Sequence, residues 1–125
     1  MTAGIVRLAD DEYVEWSSFC DAPATYILTR AQAQARWSAE RMERVEAKGH
    51  SWIDMPPMTP ERIVCVNRAG PDEETLTLDA IRRRYRNPEA SRAPLTPGDV
   101  APCEDCGTTH HSWGECPTAA LDVTP

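Results

Sequence analysis

TRAQAQARWSAERMERVEAKG, residues 29–49, is the stretch on which the fold reading turns. Thr29 is suited to cap the first exposed amides of a helix. Gln32 stands three residues on, at the reciprocal position of a capping box. From Arg30 to Lys48 the run is rich in Ala, Arg, Glu and Met, all strong helix formers. Gly49 supplies a left-handed stop. Ala31, Ala35, Ser38, Met42 and Val45 recur at helical spacing and define one apolar face. Charges cover the rest, so the face is narrow. The sequence therefore predicts one helix over 30–48 lying across a sheet rather than inside a bundle.

Outward from that helix the chain reads as strands. Toward the N-terminus, residues 5–8 are a short apolar run. Residues 12–19 hold Tyr13, Val14, Trp16 and Phe19 without clean alternation. Asp21-Ala22-Pro23 is a turn signal, and residues 25–28 would return as the second arm of a hairpin. Toward the C-terminus, Met55-Pro56-Pro57-Met58-Thr59-Pro60 is a loop, and its P-x-x-P spacing also suits an aromatic-lined groove. Arg62-Ile63-Val64-Cys65-Val66-Asn67 reads as the clearest strand, and residues 75–78 alternate and could pair back. Asp79 would cap a short helix over 80–86, with Thr77 as the alternative start and Asn87-Pro88 as the stop. Ile81 and Tyr85 would face inward and the arginines outward. The expectation is an α+β domain over residues 1–90, a small antiparallel sheet of about four strands with two helices. A proline-rich linker over 91–102 would follow, then a zinc module at 103–117 and a tail at 118–125.

The zinc reading comes from CEDCGTTHHSWGEC, residues 103–116. Cys103, Cys106, His111 and Cys116 are spaced C-x2-C-x4-H-x4-C. Three thiolates and one imidazole complete the tetrahedral shell of a structural zinc site with no open position. Spacing favours His111 over the adjacent His110. Gly107 allows the sharp turn that aims backbone amides at the first two sulfurs. Five cysteines is an odd number and fits a three-thiolate site better than a disulfide framework.

The segment resembles a CCHC zinc knuckle, the small finger of retroviral nucleocapsids and many RNA-binding proteins. The resemblance rests on the four ligands, Gly107 and Pro117, and covers residues 103–117 only. It implies one structural Zn2+ and, by family habit, contact with RNA. Two departures argue against carrying over the second implication. Glu104 stands where knuckles usually have an aromatic or apolar residue after the first cysteine. No Lys or Arg occurs anywhere from Ala93 to Pro125.

Charge decides between partners. The net charge is −7, and the segment beyond Ala93 carries Asp99, Glu104, Asp105, Glu115 and Asp122. Non-specific nucleic-acid affinity comes mainly from cations on phosphates. Zinc with three thiolates adds a further negative charge. The best basic patch is Arg82, Arg83, Arg84 and Arg86, which either meets a partner or is a solvated, internally paired face. Trp113 could stack on a base, or shield the metal or pack on the main domain.

Cys20 and Cys65 sit in apolar, strand-like surroundings and read as buried small hydrophobes. His50, with Asp54 or Cys65, is the one conceivable catalytic pairing. There is no phosphate loop, dinucleotide fingerprint or nucleophile elbow. No apolar run approaches the ~18–20 residues of a membrane span, and the N-terminus lacks a secretory pattern. These features fit a cytoplasmic chain with reduced thiols. Lys48 is the only lysine among thirteen basic residues, an Arg bias that reads as a GC-rich bacterial or bacteriophage genome. The sequence thus points to a non-enzymatic zinc-binding interaction protein, with the knuckle used for protein docking as in a virion, assembly or host-factor-binding component. The alternatives are a single-strand nucleic-acid binder using the arginine patch and Trp113, and a small enzyme using Cys65 or His50.

Overall fold

The computed structural model describes residues 3–102. Its first unit is a hairpin. β1 (Ala3–Ala9) pairs antiparallel with β2 (Glu12–Ser17), with Val6 opposite Val14 and Gly4 opposite Trp16. The turn is Asp10-Asp11, and Asp11 adopts a left-handed φ of 61°, a conformation that Asp tolerates better than most residues. β3 (Ala22–Pro23) adds two residues against Trp16 and Ser17. The expected return of residues 25–28 is present as a single bridge. The amide of Tyr13 donates to Leu28 O at 2.9 Å and that of Leu28 donates back at 2.8 Å.

Both faces of this sheet are covered. Ile5 and Tyr13 on one face pack with Ala33, Trp37, Met42 and Val45. Val6, Leu8, Val14 and Trp16 on the other pack with Ile63, Leu76, Ala80 and Ile81. A sheet buried on two sides has no polar face to alternate with. That is why residues 12–17 do not alternate cleanly in the sequence, while Phe19 lies beyond β2 and is exposed.

The helices that cover the first face are two, not one. α1 (Arg30–Arg36) opens with the expected capping box, and α2 (Ala39–Lys48) closes at Gly49, whose φ is 79°. A side chain at Gly49 would also meet the Met58 carbonyl oxygen at 2.6 Å. Between the helices Trp37 and Ser38 are extended, and the Ser38 hydroxyl accepts from Arg41 N. The predicted 30–48 helix is therefore broken by an internal cap. The break resets the helical register. Ala33 and Trp37 are buried before it and Met42 and Val45 after it, while Ala31, Ala35 and Ser38 of the expected stripe are exposed.

On the second face, the expected strand at 62–67 is a helix, α3 (Pro60–Val66). Thr59 caps it, accepting from Arg62 N at 3.2 Å, and Pro60 occupies the first turn, where its missing N–H costs nothing. These start signals outweigh the β propensity of Ile63, Val64 and Val66. Residues 75–78 do not form a strand. Leu76 makes one bridge to Val100, and Thr77 caps α4 (Leu78–Arg84), the alternative start. Asn87 caps α5 (Pro88–Arg92). The observed architecture is α+β, with a three-stranded antiparallel sheet and five helices among the described residues.

The stretch read as an extended linker is part of this domain up to Ala101. Asp99 and Ala101 are buried, and Leu95 and Val100 pack on the second core cluster. Thr77 N donates to Asp99 O at 2.9 Å and Ala101 N donates to Thr75 O at 2.9 Å. Prolines remove donors but leave carbonyls and side chains able to pack, so composition alone misjudged this run.

Candidate functional site

The arginine cluster is positioned by α4 and the turn after it. Arg82 forms a forked pair with Glu12 of β2, Nε to Oε1 at 2.7 Å and Nη2 to Oε2 at 3.1 Å. Arg83 binds Asp79 one turn earlier at 2.9 Å, and through its other nitrogen binds Asp99. Arg84, expected to face outward, is 6% exposed. Its guanidinium donates to Ala93 O at 2.6 Å and Ser91 O at 2.8 Å. It satisfies the carbonyls where α5 ends and holds α5 against α4. Arg86 is exposed and pairs with no acid among the described residues. Of the four arginines, three are thus engaged inside the domain.

The electrostatics follow from these pairs. Donating to the Glu12 carboxylate raises the Arg82 pKa, and donating to Asp99 and Asp79 raises that of Arg83. The Asp99 carboxyl is held below its usual range, first by the Thr96 amide and then by Arg83. Burial pushes the Tyr85 phenol up, and its hydroxyl donates to Ala69 O at 3.0 Å. These are the marks of a fixed, internally balanced surface.

The conceivable catalytic pairing is not assembled as a base. His50 is fully buried. Its Nδ1 accepts from Trp52 N at 3.0 Å, which leaves the proton on Nε2 to meet Pro56 O at 2.7 Å. Both nitrogens are used in holding the 50–56 loop, so neither is open to take a proton from Cys65 or to pair with Asp54. Asp54 is exposed on that loop. Cys65 and Cys20 are both exposed, Cys65 on α3 and Cys20 in the turn before β3, not in strand interiors. Phe19 beside Cys20 is 86% exposed.

The proposed zinc ligands Cys103, Cys106, His111 and Cys116, and Trp113 with them, lie outside the described residues. Among the described residues no group of three or more His, Cys, Asp or Glu side chains is placed to hold a metal. None of the described helices is long and apolar enough to cross a membrane.

No family model, curated protein or solved structure matches the chain.

A second surface, which the sequence reading did not single out, gathers around the end of α2. Lys48, the only lysine, donates to Trp52 O and Ile53 O, both at 2.9 Å. Arg44, one turn earlier on α2, donates to Ser51 O at 2.8 Å. The amide of Met58 donates to Lys48 O at 2.7 Å. With the His50 bonds, these fix the 51–58 loop and leave Ile53 71% exposed at its tip. The indole of Trp52 lies against Gly4, where any side chain would collide with the ring. The sequence signal available was i, i+4 basic residues at the end of a helix, where cations meet unpaired carbonyls.

Proposed function

We propose that the chain is a non-enzymatic zinc-binding interaction protein of bacterial or bacteriophage origin. Cys103, Cys106, His111 and Cys116 hold one structural Zn2+, and the metal-folded module docks onto a protein partner. The observation that carries the choice of partner is the internal use of Arg82, Arg83 and Arg84. With those cations engaged and none beyond Arg92, the zinc segment has no basic surface of its own to meet phosphates. The occupied nitrogens of His50 weigh against an enzyme built on that residue.

Metal analysis of the purified chain tests the zinc arm. One zinc per chain is expected, with loss on Cys106→Ser; a metal-free wild-type protein overturns it. Binding to a labelled single-stranded oligonucleotide at low salt tests the partner class. No binding is expected at about 10 μM chain, a concentration at which non-specific binders register. Binding that falls with salt and with Arg86→Ala would replace protein docking by nucleic-acid binding. Retention of a host protein by the intact chain, and not by a chain ending at Pro102, is the expected result for docking.

A further inference from the structure

We propose that the Ile53 loop is a self-association surface, and that its occupant is the same surface of a second copy of this chain. The loop is held from below by Lys48, Arg44 and His50, so its exposed isoleucine is not a product of slack. Ile53 forms part of the rim of a groove of about 420 Å3, whose other walls include Ala3, Arg41, Trp52, Asp54 and Met55. A protruding apolar side chain and a largely apolar groove therefore share one patch. The charges on that patch are also paired in kind. Among the described residues neither the Arg41 guanidinium nor the Asp54 carboxylate has an ion-pair partner, and they do not pair with each other. Arg44, the other cation on the groove, is engaged with Glu40 and Ser51 O.

An isologous two-fold contact needs a patch complementary to itself. This one carries a projection with a recess and a cation with an anion. Each copy's Ile53 enters the other's groove, and each Arg41 meets the other's Asp54, giving two equivalent ion pairs. A patch this small lies at the low end of specific interfaces, and the net charge of −7 on each copy opposes association. The dimer is accordingly weak and forms at high chain concentration.

Analytical ultracentrifugation of the zinc-loaded full chain tests this. A reversible monomer–dimer equilibrium is expected between roughly 0.1 and 1 mM, the weak regime of small interfaces. Ile53→Asp should weaken it at least tenfold, as truncating a central apolar anchor does. Because Ile53 is exposed, that variant should keep the wild-type melting temperature. Arg41→Asp and Asp54→Arg should each weaken dimerisation alone. An equimolar mixture of the two should restore it, since the mixed dimer re-forms both ion pairs, one with its original sign and one reversed. A chain that stays monomeric to about 1 mM overturns the proposal, as does a dimer indifferent to Ile53→Asp. So does a dimer abolished by zinc chelation, which would place the contact in the zinc segment. Sensitivity of a different protein's binding to Ile53→Asp, with no self-association, would make this a heterologous docking site and overturn the second-copy assignment.

Discussion

Asn67 joins two parts of the chain that have no sheet between them. It is 1% exposed. Its side-chain nitrogen donates to Ile63 O and Leu76 O, both at 2.9 Å, while its oxygen accepts from Leu76 N at 2.8 Å. The amide group thus pairs with Leu76 as a neighbouring strand would. Asn67→Ala strands both polar groups of Leu76 in the core, so a loss of about 2–4 kcal/mol is expected by urea unfolding. A loss under 1 kcal/mol would mean that water reaches Leu76. His50 has a comparable duty, and His50→Ala should destabilise by a similar amount by freeing the 51–58 loop. Neither duty was legible in the sequence. Asn67 reads as the end of a strand and His50 as a conceivable catalytic partner. Which distant carbonyl each reaches is a tertiary fact.

Element boundaries were legible where caps are local. Thr29 with Gln32 and the Gly49 stop appear as expected, because each acts within one helical turn. The same chemistry at Ser38 and Thr59-Pro60 was outvoted by longer-range patterns, helix composition in one case and β-branched residues in the other. A cap in the middle of good helix formers still wins when it lets two short helices bury Trp37 and Met42 on one sheet face. Ser38→Ala should accordingly cost about 1 kcal/mol, the usual worth of an N-cap. Circular dichroism with chemical denaturation checks this. A stabilised variant would show that one continuous helix packs as well as the kinked pair.

At the scale of the whole molecule, the question is where the domain ends, since the Cys- and His-bearing segment begins at Cys103. The sequence placed the boundary near residue 90 because prolines and small polar residues begin there. The structure carries it to Ala101, through Leu95, Val100 and the Asp99 carboxylate. Asp99 accepts from Thr96 N and from Arg83, so this last run is clipped to α4 by charge as well as by packing. Its lowered pKa fixes the sign of the pH effect. The ionised form is favoured in the fold, so its contribution is present above the unfolded value of ~3.9 and fades as pH falls below it. Asp99→Asn should therefore be less stable than wild type at pH 7, with the gap closing below about pH 4. A gap that stays constant down to pH 3 would assign the loss to shape rather than charge. Truncation gives the larger test. A chain ending at Pro102 retains every one of these contacts and should unfold cooperatively in urea. One ending at residue 90 uncovers Leu76, Ile81 and their neighbours and loses the acceptors of Arg84. Losing several half-buried apolar side chains costs about 3–6 kcal/mol, much of a small domain's total stability of roughly 5–15 kcal/mol. The shorter chain is expected to bind a hydrophobic dye and melt without a sharp transition. Equal stability of the two would return residues 91–102 to the role of a spacer.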